Sequence, residues 1–254
     1  MKITILGCGT SGGVPLIGGN WGLCNPNNPR NRRRRVSILV EQADTVLLVD
    51  TSPDMREQLL DCGLQKLDAV LYTHSHADHC HGIDELRSLN WLMHKPIDIF
   101  ADPETLGILK RRFDYIFAGS KHGGYYKPAV NPHEINGQGM TIGAIDVRHF
   151  WQKHGNMFSL GFRFGNFAYS TDASELDDAA FAALAGVKIW LVDCVRREPH
   201  HTHAHLARTL EWIERVRPQQ AYLTHMNHTM DYDTLCKELP AGVLPAHDGL
   251  VIEC

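Results

Sequence analysis

The segment YTHSHADHCHG, residues 72–82, places four histidines, one aspartate and one cysteine within eleven consecutive positions. His74 and His76 are two apart, so on an extended chain both imidazoles point the same way. Asp78 and His79 follow where the chain turns toward the amphipathic stretch IDELRSLNWL, and they form a second set beside the first. Two adjacent sets of ligand-type side chains imply two metal ions, roughly 3.5–4 Å apart if they act as a pair. Such a pair needs further ligands, and at least one should be a carboxylate, whose two oxygens can bridge. Three positions downstream meet that need: His154 after HFWQK, Asp172 after FAYST and His225 after AYLT. Each falls at or just beyond an expected strand end. A lone histidine is ordinarily a surface residue or a satisfied core residue; beside this cluster, the three positions become candidates.

The elements that must position these residues are short and alternate along the chain. KITILG reads as a strand, VSILV and TVLLVD as a hairpin pair, and DAVLYT as a buried strand that delivers the histidine cluster. SPDMREQLLDCG carries a helix signature, with Ser52 as cap, Pro53 in the first turn and Gly63 at the end. DPETLGILKRRF repeats it with Asp102 and Pro103. TIGAIDVRHF, SLGFRFG, NFAYST, IWLVDC and QAYLTH read as strands, with a helix over Ala204–Arg217. With no internal repeat or linker-like tract, residues 1–254 are expected to form one domain of two sheets with outer helices.

Bulk composition narrows the class. A hydrophobic content of 43% and a charged content of 21% are ordinary for a soluble globular chain of 254 residues. The net charge of −4 gives no overall reason to expect nucleic acid as a partner. Sixteen histidines exceed what a core requires and favour a metal site. The seven cysteines are scattered with no CxxC pair, so reduced thiols in a cytoplasm are expected. No stretch approaches membrane-spanning length. The least regular segments are residues 7–35 and 118–138. The first ends in RNRRRR, whose five arginines suit substrate phosphates or RNA, or else a solvated loop edge or a subunit contact. The second suits a lid, a homodimer arm or a plain surface excursion.

The string H-x-H-x-D-H, followed by a lone His, an Asp after a strand and a late TH, resembles the metallo-β-lactamase fold superfamily along essentially the whole chain. That resemblance implies a four-layer αββα sandwich with the site at one edge of its two sheets. It implies that His74, His76 and His154 hold one metal and that Asp78, His79 and His225 hold the other, with Asp172 bridging. Asp50, closing TVLLVD, matches a supporting aspartate behind the ligands. GCGTSGGVP, NPRNRRRR, THSHADHCHGIDELR, STDAS and LTHMNH resemble in particular the PhnP-type phosphodiesterases that open phosphoribosyl 1,2-cyclic phosphate. Members of that group often carry a structural zinc on a C-x-C-x2-C loop and a late histidine. Cys24 and His228 are kept here, but Gly19 and Trp21 stand at the other two positions, so that zinc is expected to be absent. The resemblance also implies a histidine that contacts substrate phosphate and protonates the leaving group. It corresponds to His203, with His200, His201 and His205 as alternatives.

The implied chemistry is attack of a metal-bound hydroxide on phosphorus, with His203 and the metal ligand Asp78 as catalytic residues. A mixed imidazole and carboxylate set suits zinc or manganese, and iron is compatible. The expected substrate is a small cyclic or nucleotide-like phosphodiester. The rivals are a thioester or lactone hydrolase of the same fold and an RNA-processing nuclease of the tRNase Z type.

Overall fold

The computed structural model describes residues 1–118, 128–137 and 139–254. Two seven-stranded sheets stack face to face. The first runs in the order β14 (Val251–Glu253), β1 (Lys2–Gly7), β2 (Ser37–Gln42), β3 (Thr45–Val49), β4 (Ala69–Leu71), β5 (Ile97–Ala101), β6 (Val130–Glu134). The second runs β13 (Val243–Pro245), β12 (Gln220–Thr224), β11 (Ile189–Asp193), β10 (Phe167–Ser170), β9 (Met157–Phe164), β8 (Ile145–His154), β7 (Gly139–Ile142). Each sheet joins an antiparallel half to a parallel half, with β3 to β6 parallel in one and β10 to β13 parallel in the other.

Side-chain alternation explains the layering. Ile38, Val40, Leu47, Val49, Ala69 and Leu71 turn inward to meet Leu160, Phe162 and Tyr169 of the other sheet. Leu39, Leu48 and Val70, at the intervening positions, turn outward. That outer face is covered by α1 (Met55–Asp61), α2 (Ala77–Cys80), α3 (Leu86–Met93), α4 (Pro103–Arg112) and α5 (Asp114–Ala118). The second sheet is covered by α6 (Asp178–Leu184), α7 (Leu206–Val216) and α8 (Tyr232–Glu238). The four-layer αββα sandwich is therefore the fold.

Local expectations met the structure with a few differences. Asp102 caps α4 by accepting from the Glu104 and Thr105 amides. Ser52 opens a turn, its hydroxyl accepting from Asp54 N–H, but α1 itself starts at Met55. TIGAIDVRHF is not one strand: Gly143, at φ +55°, turns β7 back onto β8 as a hairpin. The helix expected over 204–217 is shorter, because His205 keeps extended backbone and Arg217 ends it in the left-handed region. All seven cysteines are free. Among the described residues no helix is long and apolar enough to cross a membrane. The lid or arm expected at 118–138 lies largely outside the described residues; its later part is β6, paired in parallel with β5.

Candidate metal centre

Strand ends build the site. Asp50 follows β3, His74 and His76 follow β4, His154 ends β8, Asp172 follows β10, Asp193 ends β11 and His225 follows β12. All are carboxyl ends on one edge of the sandwich, where the last residues are held by hydrogen bonds while the chain is free to turn away. Asp50, Asp172 and His225 turn with φ of +63°, +52° and +56°, a left-handed backbone unusual for residues other than glycine. Such conformations persist only where the surroundings over-determine them. Leu160 N–H donates across the sheets to Thr73 O at 2.9 Å, which locks the β4 exit against the second sheet.

The seven candidate ligands come together. Asp172 lies at the centre, with its two oxygens facing different imidazoles. Oδ2 is 3.7 Å from His74 Nε2 and 3.4 Å from His154 Nε2. Oδ1 is 3.1 Å from His79 Nε2 and 3.3 Å from His225 Nε2. His76 Nδ1 lies 3.2 Å from His154 Nε2, and Asp78 Oδ2 lies 3.5 Å from His79 and 3.6 Å from His225. His74, His76, His154 and Asp172 thus form one group with ligand atoms within 4.8 Å of one another, and Asp78, His79 and His225 form another. Cys80 stays out, its thiol turned to Ser75 O at 3.4 Å. His81 also stays out: it is exposed and packs edge-on against Phe113.

Whether the residues fit a metal is decided by atoms that lack partners. Nε2 of His74, His79 and His225 is buried and unpaired, an arrangement normally costly. Divalent cations at the two groups would satisfy all three, and a set of imidazoles and carboxylates is the donor chemistry for such ions. Electrostatics among these residues point the same way. Burial, with His79 alongside, holds the His74 imidazole well below its ordinary value, and burial also lowers His76 and His154, so all three favour the neutral, ligating form. Burial opposes the ionised form of Asp172, yet His225 and His79 hold its carboxyl well below the usual range.

Behind these residues stands a set of orienting contacts. Asp50 Oδ2 lies 2.7 Å from His79 Nδ1, while its other oxygen accepts from Thr73 N–H at 2.8 Å. Thr202 O lies 2.7 Å from His154 Nδ1, which fixes Nε2 as the free nitrogen. Arg112 donates to Ser75 O at 2.6 Å and so steadies the turn between His74 and His76.

Of the four histidines at 200–205, His203 alone joins the cluster, with Nε2 3.8 Å from Asp172 Oδ2 and Nδ1 3.2 Å from Asp193 Oδ2. Burial depresses its pKa, but Asp172 and Asp193 outweigh this and raise it to about 9. His201 lies on the pocket rim, His200 stacks on His201, and His205 precedes α7. Sequence reasoning missed Asp193. It is fully buried, accepts from Ala173 N–H at 2.9 Å and places its other oxygen 3.7 Å from His225 Nδ1. The signal was present: IWLVD, like TVLLVD, is an apolar strand that closes on an aspartate.

The arginine run is mostly engaged within the protein. Arg33 is buried, Arg34 pairs with Asp61 at 2.6 Å, Arg35 pairs with Asp54 at 3.1 Å, and Arg30 lies over the Tyr232 ring. Arg32 is exposed. The metal groups open on a pocket of about 760 Å³ whose further walls include Ser11, Lys153, Met157, Ser174 and His201.

Residues 45–226 match the beta-lactamase superfamily domain. A crystal structure of a diphosphatase from the PhnP family superposes with a TM-score of 0.92 and 35% identity, over 100% of this chain and 97% of that one. An octanoyltransferase of Porphyromonas gingivalis is 28% identical over 254 residues, 98% of this chain and 51% of that protein. A ribonuclease Z of a Bradyrhizobium species is 28% identical over 144 residues, 54% of this chain and 46% of that protein. The chain thus spans about half the length of those two relatives. With its domain match, its fold and its likeness to a PhnP-family structure, the chain belongs to the metallo-β-lactamase superfamily, on its PhnP-like branch.

Proposed function

We propose that this protein is a hydrolase of small phosphodiesters that works with two divalent metal ions. His74, His76 and His154 would hold one ion, Asp78, His79 and His225 the other, and Asp172 would bridge them. The observation that carries this reading is the division of Asp172, with one oxygen toward His74 and His154 and the other toward His79 and His225. Such ions supply Lewis-acid charge for phosphoryl oxygens and lower the pKa of water to near neutrality.

The chain's own residues account for the rest of the chemistry. Asp50 and Asp193 fix the rings of His79 and His203 from behind, so each turns Nε2 toward Asp172. His203 keeps a proton in its position between Asp172 and Asp193, which suits donation to a leaving alkoxide. The pocket, at about 760 Å³, suits a cyclic ribose phosphate or a nucleotide-sized diester. The likeness to a PhnP-family diphosphatase supports phosphorus as the electrophile. Zinc, manganese or iron suits the ligand set.

Ribonuclease Z activity is the second reading, favoured by the likeness to that relative. Against it, four of the five arginines at 30–35 are engaged within the protein. Hydrolysis of bis-p-nitrophenyl phosphate, tested beside a thioester, a lactone and a precursor tRNA, separates the readings. Turnover of the diester with added Mn, Zn, Fe or Co is expected. Its absence with all four metals would overturn the proposal, and full activity in Asp78→Ala would overturn the two-ion assignment.

A further inference from the structure

Arg33 is among the largest fully buried side chains of the molecule, at 2% exposure. A guanidinium is seldom buried without a carboxylate, because removing its charge from water is costly. Its hydrogen bonds here go elsewhere. One terminal nitrogen donates to Met230 O at 2.6 Å and to Asn31 Oδ1 at 3.4 Å. The other donates to Asn227 O at 3.2 Å and to Cys24 Sγ at 3.7 Å. The fork therefore grips both ends of the turn 227–230, which begins two residues after His225.

That turn is held from other sides as well. Met226 N–H donates to Cys8 O at 2.9 Å and Asn227 N–H to Val195 O at 3.0 Å. Asn31 donates to Asp231 Oδ2 at 2.8 Å and accepts from Tyr232 N–H at 2.8 Å. Leu23 N–H donates to His228 O at 2.9 Å, and Gly22 packs so closely on His228 that a Cβ would meet the ring at 2.3 Å. The segments 22–33 and 225–232 are thus one interlocked corner, with a cation at its centre. His225 leaves β12 in a left-handed conformation that the following residues must hold in place.

We infer that Arg33 is a positioning residue for the metal centre: an internal cation whose fork fixes the 227–230 turn and thereby the placement of His225. The inference rests on the two-ion reading given above. Only a planar, permanently charged group reaches two carbonyls, a side-chain oxygen and a thiol at once, so lysine is not an equivalent. The Cys24 and His228 corner is accordingly assigned to a protein cation, with no group of three metal-ligating side chains gathered there among the described residues.

The test compares Arg33→Met, Arg33→Lys and the exposed control Arg32→Met, each stripped of metal and titrated with Zn²⁺ or Mn²⁺ against a chromophoric chelator. In Arg33→Met one of two ions should bind roughly 10- to 100-fold more weakly. The other should be retained, kcat should fall with KM little changed, and Arg32→Met should match the wild type. Arg33→Lys should fall between them. If Arg33→Met fails to fold, Arg33→Lys carries the test, with faster amide exchange at Met226–Met230 expected beside weaker binding. Lower thermal stability with wild-type affinity for both ions would make Arg33 merely structural and overturn the inference. A wild type that binds a single ion would instead overturn the two-ion reading, and Arg33 would then stand or fall on the affinity of that ion.

Discussion

Two corners of the molecule draw on similar side chains and end in opposite states. At the strand ends, imidazoles and carboxylates crowd together with buried nitrogens that have no partner. At the corner of Cys24 and His228, the thiol and nearby carbonyls surround a guanidinium carried by the chain itself. The first fits a divalent cation, and the second holds a cation of the chain's own. Buried ring nitrogens without a partner on His74, His79 and His225 mark the first corner, whereas at the second the Cys24 thiol is engaged by Arg33.

The comparison is open to several tests. The largest effect should come from Asp172→Ala, which removes the carboxylate shared by both imidazole pairs. Diester turnover should fall on the order of 10³-fold or more, equivalent to about 4 kcal/mol of barrier. Metal analysis should show ion loss alongside; retention of both ions and activity would deny the strand-end cluster its metal role. His203→Ala should lower kcat by roughly 10²- to 10⁴-fold with metal content unchanged. Loss of metal in that variant would make His203 a ligand. Asp193→Asn should weaken activity by roughly 10- to 100-fold through the His203 ring it orients, and wild-type rates would show that ring to be held without it.

Smaller effects sharpen the second corner. Asp248 accepts from the amides of Arg34 at 2.7 Å and Cys8 at 3.1 Å, and burial pushes its carboxyl up to about 7. The folded protein therefore holds this proton more tightly than the unfolded chain, whose value is near 3.8. The associated stability is complete below the unfolded value and is lost as pH rises through about 7. Chemical denaturation of metal-free protein between pH 5 and 8 should show that decline, and Asp248→Asn should remove it. An identical pH profile in the variant would rule out the assignment. The smallest effect belongs to Arg32→Ala, where stability should change by no more than about 0.5 kcal/mol. A marked loss of RNA retention at physiological salt in that variant would revive the nucleic-acid reading of the run.

Much of the site was legible because its residues are close in sequence or sit at recognisable strand ends. His74 and His76 share a side by alternation, and His154, Asp172 and His225 each fall at or just beyond an expected strand end. The layers were legible too, since Leu39, Leu48 and Val70 alternate with inward-facing neighbours. Other features were not. Gly143 turned an apparent single strand into a hairpin, because a left-handed glycine outweighs the apolar pattern around it. Asp193 and Asp50 end similar strands, but only the fold shows which imidazoles each one meets.

The sequence by itself determined which residue types leave the strands, and with them the kind of chemistry, because ligand chemistry and side-chain periodicity are local properties. Tertiary structure alone decided the pairing of Asp172's two oxygens with His74 and His154 on one side and His79 and His225 on the other. It alone separated His203 from its histidine neighbours and took Arg33 out of a basic run into the interior. Those outcomes depend on distances between groups up to about two hundred residues apart, as between Arg33 and Met230. Burial and the satisfaction of polar atoms, which emerge only when the sheets close, choose among residues that look alike in the chain.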